Sequence, residues 1–336
     1  MAYTTIDNPE LYFQCKLYTG NATGRDITLD GSENMSPNLV WIKVRSENES
    51  HQLYDTIRGV QKRFMTQSSE VSETVSQGLT AFNADGFTLG TGNGANKNTE
   101  TYVAWCWNES ATAGVDILTY DGNSTNRTIA HSLSAVPHMI ILKSSTHGEQ
   151  WVVGHNSMDG SSVPASSAWN NYMHLQSTAA TASASNRWQN TAPTSSVFSL
   201  GTEDQVNGSK TYIAYLFAPK QGFSRFKSYK GNNSSTNAPF IYTGFRPAFV
   251  LIRSVSTTDW NIFDNKRFGF NGKNPTLFAN LSNSEDTEFG RIDFLSNGFK
   301  IRTTNAQVNN DNTPHIYMAF AESPFVNSKG VPNNAR

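Results

Sequence analysis

Charge is scarce in this chain of 336 residues: Asp, Glu, Lys and Arg supply only 16% of it, against roughly a quarter in ordinary soluble domains. The formal net charge is −1, from 26 basic and 27 acidic residues, and no cationic run stands out. Gripping a nucleic-acid duplex requires such a run to displace counterions, so no nucleic-acid partner is expected. Long apolar runs are missing too. None approaches the roughly 20 residues of a membrane-crossing helix, so no membrane insertion is expected. Met1 to Asp7 lacks the basic-then-apolar pattern of an export signal. Cysteine occurs only at Cys15 and Cys106, too few for a disulfide framework or a thiolate metal site, and both are expected to be buried free thiols. The seven histidines show no His-x-x-x-His spacing, and no Gly-x-Ser-x-Gly elbow occurs. No catalytic residue, metal or cofactor is therefore assigned, and the chain is expected not to be an enzyme. Helical periodicity is also rare. Only Val60 to Gly78 could hold one short helix.

Asn, Ser, Thr and Gly fill the place of the missing charge, which suits short strands joined by polar turns. The 20 Phe, 12 Tyr and 7 Trp can bury a large apolar area, which argues against disorder.

Three ordered blocks recur along the chain. Tyr18-Thr19-Gly20-Asn21 returns as Tyr120-Asp121-Gly122-Asn123 and Tyr229-Lys230-Gly231-Asn232. Next come Pro37-Asn38-Leu39-Val40-Trp41-Ile42-Lys43, Pro137-His138-Met139-Ile140-Ile141-Leu142-Lys143 and Pro247-Ala248-Phe249-Val250-Leu251-Ile252-Arg253. The last block reads Tyr102-Val103-Ala104-Trp105, Tyr212-Ile213-Ala214-Tyr215 and Tyr317-Met318-Ala319-Phe320. The proline-led runs read as central strands, with proline at the start, where a missing N–H does no harm. Period-two alternation places Tyr102, Ala104 and Cys106 on one face and Val103, Trp105 and Trp107 on the other. Before each last block, Phe87, Phe198 and Phe299 open a strand, and Asn96, Asn207 and Asn309 follow about ten residues later in a polar hairpin loop.

These patterns predict an all-β fold of three tandem β-sandwich domains related by internal repeat: 17–110, 111–222 and 223–326, with an anchoring segment at 1–16 and a tail at 327–336.

A charged constellation recurs in two copies. Lys43 is followed by Asp55 and Arg58, and Arg253 by Asp264 and Arg267. We expect these to be structural charge pairs, with each Asp bonding across strands to Lys43 or Arg253, because a partly buried cation needs a partner. Trp169, Tyr172 and Trp188 fall in a Ser/Ala/Asn-rich insertion and are the candidate ligand-binding residues, since exposed aromatic faces stack on sugar rings. Asp116, Asp121, Glu203 and Asp204 are the carboxylates that a glycoside hydrolase would need to pair.

The blocks Leu17-Tyr18-Thr19-Gly20-Asn21, Val40-Trp41-Ile42-Lys43, Phe82-Asn83-Ala84-Asp85-Gly86-Phe87-Thr88-Leu89-Gly90 and Tyr102-Val103-Ala104-Trp105-Cys106-Trp107 resemble a β-repeat family of bacteriophage virion structural proteins, many of them from marine phages and often called tail fibres. So do Tyr242-Thr243-Gly244-Phe245-Arg246-Pro247, Phe294-Leu295-Ser296-Asn297-Gly298-Phe299-Lys300 and the opening Thr4-Thr5-Ile6-Asp7-Asn8-Pro9. The resemblance spans nearly the whole chain. It implies a virion protein assembled in the host cytoplasm: a tail fibre or receptor-binding component, homotrimeric, contacting a host surface glycan. It also implies that the N-terminal segment joins the protein to other virion proteins. A capsid decoration or head-fibre protein is the alternative, and a carbohydrate-active hydrolase the second.

Overall fold

The computed structural model describes residues 2–161, 165–267, 272 and 274–333, and the fold is all-β. Among the described residues, helix is limited to single turns of three to five residues, and no helix is long and apolar enough to cross a membrane. Val60 to Gly78 is not the short helix expected. It carries the paired two-residue strands Lys62–Arg63 and Glu73–Thr74. Phe64, fully buried, exchanges backbone hydrogen bonds with Leu53 at 2.9 Å, so tertiary pairing overrides a weak local preference.

Three large antiparallel sheets dominate. In the first, the order is Phe13–Thr19, Thr101–Trp107, Leu39–Val44, Gln52–Asp55. In the second it is Val115–Asp121, Thr211–Phe217, Met139–Ser144, Val152–His155, Asn171–His174, Ala182–Ser183. In the third it is Ser224–Lys230, Pro314–Pro324, Phe245–Ser254, Asn261–Asp264, Leu277–Phe278. Each proline-led segment thus forms an inner strand. Pro37 and Pro137 precede theirs, whereas Pro247 lies within its strand at a β-bulge, where an absent N–H is tolerated.

Each large sheet has a small companion: Arg25–Ile27 with Gly86–Leu89 and Leu79–Asn83, Arg127–Ala130 with Val197–Leu200, and Phe240–Tyr242 with Gly298–Ile301 and Ile292–Leu295. The alternation expected for Tyr102 to Trp107 holds. Tyr102, Ala104 and Cys106 pack with Val40, Ile42, Leu79 and Phe87 between the first sheet and its companion. Val103, Trp105 and Trp107 point the other way, into a core shared by all three large sheets. There Phe13 packs 5.0 Å from Trp107 and 5.8 Å from Phe249, and Phe320 packs against Phe13, Trp107, Phe217 and Phe226. The apolar faces therefore meet in one centre.

Strand register corrects one alignment. Tyr18 pairs with Tyr102 and Tyr120 with Tyr212, but Tyr229 pairs with His315, two residues before Tyr317. The rings stack in all three pairs, at 5.0, 5.2 and 5.1 Å. A slip of two keeps every side chain on its face, so the apolar pattern alone could not reveal it.

Residues 2–16 are folded into the body. Ile6, Phe13 and Cys15 are buried in the shared core, Phe13 begins an edge strand, and Tyr3 OH donates to Gly244 O at 2.9 Å. The 327–333 segment meets them, for Ser328 N donates to Asp7 Oδ1 at 2.6 Å. Ile6 and Phe13 are large apolar side chains, and burial claims them.

Candidate functional site

Two of the expected charge pairs form. Arg58 Nε donates to Asp55 Oδ2 and Arg267 Nε to Asp264 Oδ2, both at 2.6 Å and both deeply buried. Lys43 and Arg253 take no part, contrary to expectation. Asp55 pairs across strands with Leu39, four residues and roughly 13 Å along the strand from Lys43. Lys43 Nζ instead donates to Val44 O at 2.8 Å, and Arg253 donates to Ala179 O and Thr258 Oγ1, both at 2.6 Å. Burial lowers Lys43 to about 8 and Arg253 to about 10.

What the aspartates do besides pairing was not legible in the sequence. Trp105 Nε1, from the first sheet, donates to Asp264 Oδ2 of the third at 3.0 Å. Tyr215 OH, from the second, donates to Asp55 Oδ2 of the first at 2.7 Å. Between the third and second sheets, Met318 supplies no donor, and His155 and Met158 stand where the other sheets have Asp and Arg; His155 Nε2 lies 3.3 Å from Tyr317 O. A second series runs parallel. His51 Nε2 bonds Phe278 O at 2.9 Å, Trp151 Nε1 donates to Ser68 O at 3.0 Å, and Trp260 Nε1 donates to His174 O at 3.0 Å. His51 Nδ1 accepts from Trp41 Nε1 at 2.8 Å, so Nε2 carries the proton, and burial holds this imidazole down to about 3.

Asn96, Asn207 and Asn309 also have a task. Each is fully buried and accepts from the backbone N–H of Asn21, Asn123 or Asn232 at 2.9–3.2 Å. Each also donates to two backbone carbonyls, at 2.6–2.9 Å. The glycine before each of those partners is required by close approach. A Cβ at Gly20, Gly122 or Gly231 would stand 2.0, 2.0 or 2.2 Å from a carbonyl oxygen.

The candidate ligand aromatics are not a binding surface. Trp169 and Trp188 are 2% and 1% exposed and meet edge to face at 5.4 Å. Tyr172 is half-buried beneath the Arg187 guanidinium, 3.6 Å from its ring. These rings pin the insertion to the sheet, because leaving two indoles in water forfeits more than a polar loop gains.

The carboxylates do not converge either. Asp116 and Asp121 lie on opposite faces of one strand, roughly 17 Å apart along it. Asp116 Oδ2 accepts from Ser132 N at 2.6 Å, Glu203 from Asn186 at 2.7 Å, and exposed Asp204 pairs with Lys210 at 3.6 Å. Beside Asp116, Glu109 is raised to about 7 by burial and by its acidic neighbours. Among the described residues no three His, Cys, Asp or Glu side chains are grouped to hold a metal ion.

Sequence patterns gave no sign of a cleft beside the third sheet. It measures about 450 Å³ and is lined by Tyr3, His138, Pro219, Gln221, Gly222, residues 224–227 of the edge strand Ser224–Lys230, Tyr242 and Thr243. Arg225 and Lys227 project into it, and no carboxylate lines it. Arg225 Nη1 donates to Thr243 O at 3.4 Å, its guanidinium sits 5.8 Å from the Tyr242 ring, and its buried Nε has no partner. Tyr242 is 44% exposed, with its hydroxyl 3.2 Å from that of Tyr3. Burial lowers His138 to about 4, so its ring is neutral at pH 7, and Nδ1 is unpartnered. Burial, and then the Arg225 charge, lower Lys227.

No curated protein matches the chain. A family model described as a domain of unknown function, DUF7483, matches residues 8–324.

Proposed function

The chain belongs to the DUF7483 family, and we propose that it is a non-catalytic phage virion component, a tail fibre or receptor-binding protein that contacts a host surface glycan. Its body is three diverged copies of one β-sandwich, at 17–110, 111–222 and 223–326, closed in a ring around the shared core. Matching Asn clasps at Asn96, Asn207 and Asn309 support the repeat. The observation that carries the structural role is the ring of contacts from each sheet to the one before it: Trp105 to Asp264, Tyr215 to Asp55 and Tyr317 to His155. The buried polar groups that an enzyme would free for chemistry are spent there on holding units together. The phage setting rests on the sequence resemblance. Other virion proteins are proposed to attach where the N-terminal segment and the 327–333 segment meet, at Asp7 and Ser328, and the assembly to be a homotrimer.

A capsid decoration protein is the second reading. Internal threefold closure favours it, since one copy could then match a threefold site that otherwise takes three chains. Immunogold labelling of purified particles separates the two: label at the tail supports the fibre, and label over the head supports decoration. Particles that lack the protein would overturn both.

A further inference from the structure

We propose that the cleft beside the Ser224–Lys230 strand binds an acidic saccharide, a sugar ring that carries a carboxylate. This deepens the host-contact part of the function above and rests on it only for the source of the sugar.

The volume of about 450 Å³ lies within the range of small-ligand sites. Charge selects an anion. Arg225 and Lys227 enter a cleft with no acidic lining residue, whereas most arginines elsewhere meet carboxylates, as Arg45, Arg246 and Arg302 do at 2.9–3.0 Å. Arg225 carries the planar guanidinium that a carboxylate takes in charge-assisted bonds. Shape selects a ring. Tyr242 keeps an exposed aromatic surface, and bare phosphate offers nothing apolar to cover it. The hydroxyls of Tyr3 and Tyr242 supply bonds for ring hydroxyls.

The other edge strands lack these features. By register, the position of Arg225 is held by Gln14 and Asp116. Both clasp the next loop: Gln14 accepts from Gly31 N at 2.8 Å, and Asp116 from Ser132 N at 2.6 Å. Only in the third sheet does that position carry a cation.

Calorimetric titration of the full chain with trigalacturonic acid, and with its methyl ester as the neutral counterpart, tests this. The acid is expected to bind at least tenfold tighter than the ester. Arg225→Gln, Lys227→Met and Tyr242→Ala are each expected to weaken it about tenfold or more, with melting temperatures of the latter two unchanged. Should Arg225→Gln misfold, Lys227→Met and Tyr242→Ala decide the matter. Equal binding of acid and ester, no binding of either at millimolar concentration, variants without effect, or displacement by an equal concentration of inorganic phosphate would each overturn the assignment. None of these bears on whether particles contain the protein, so the virion role stands or falls separately.

Discussion

Asp264→Asn is the sharpest probe of the contact between the first and third sheets. Asp264 is 1% exposed and accepts from Lys266 N, Arg267 N, Arg267 Nε and Trp105 Nε1 at 2.6–3.1 Å. Burial alone would raise its pKa. The Arg267 charge and the hydrogen bonds outweigh burial and hold it below the ordinary 3.8. Removing one member of a buried pair costs about 3–5 kcal/mol, and the lower figure applies because Arg267 keeps Glu285 at 2.9 Å. At about 2.1 cal/mol/K per residue, 3 kcal/mol lowers Tm by about 4 °C if the whole chain melts together, and by about three times that if one sandwich melts alone. Calorimetry therefore reads cooperativity along with the interaction. Because the folded pKa is depressed, the carboxylate's contribution is complete above the unfolded pKa and disappears as pH falls through the folded one. The gap between variant and wild type should accordingly shrink below about pH 4. Trp105→Phe should cost about 1.5–3 kcal/mol for its lost charge-assisted bond and couple to Asp264→Asn by about 1 kcal/mol in a double-mutant cycle. A loss under 0.5 kcal/mol for Asp264→Asn at pH 7, or strict additivity of the two changes, would refute the reasoning.

Gly154→Ala should destabilise by about 1–3 kcal/mol in urea, since the new Cβ would stand 2.5 Å from Trp169 and 2.9 Å from Trp188; a neutral result would mean the two rings are loosely held. His51 and His155 are lowered to about 3 by burial. Between there and the ordinary 6.5 the unfolded chain binds more protons than the folded one. Stability should thus be full above pH 6.5 and decline on acidification, and the pair His51→Gln with His155→Gln should flatten that slope of urea midpoint against pH; an unchanged slope would count against buried neutral rings. Burial raises both Cys15 and Cys106, and successive strand positions place them on opposite faces of the first sheet. Neither should react with a thiol reagent until urea unfolds the chain; modification of the native protein would contradict this.

Residues that act within one strand were legible in the sequence; residues that act between strands from different thirds were not. The proline-led runs announced inner strands because an apolar run behind a residue without an N–H fits few other places. Tyr102 to Trp107 announced two buried faces by alternation alone. Asp55-x-x-Arg58 was visible as a local pair, but its third partner, Tyr215, lies 160 residues away, and nothing periodic links them. Trp169 and Trp188 misled because polar flanking residues suggested exposure, while the empty space above Gly154, which admits both rings, is set by folding. Arg225 stayed hidden because period two places Gln14, Asp116 and Arg225 alike on the face next to the companion sheet. What sets Arg225 apart is that it is a cation lining a cleft, and that emerges only once the neighbours are in position.

The hydrogen bonds from Ser328 to Asp7 bring these two residues to one spot, so the stretch of polypeptide between them is a loop lacking a single short splice. Joining those ends and opening the backbone at Ala111-Thr112 or Lys220-Gln221, in the turns that connect successive sheets, should yield circular permutants with the same architecture. The order in which the ribosome delivers the three thirds would then influence how fast they find one another, and not the structure they reach.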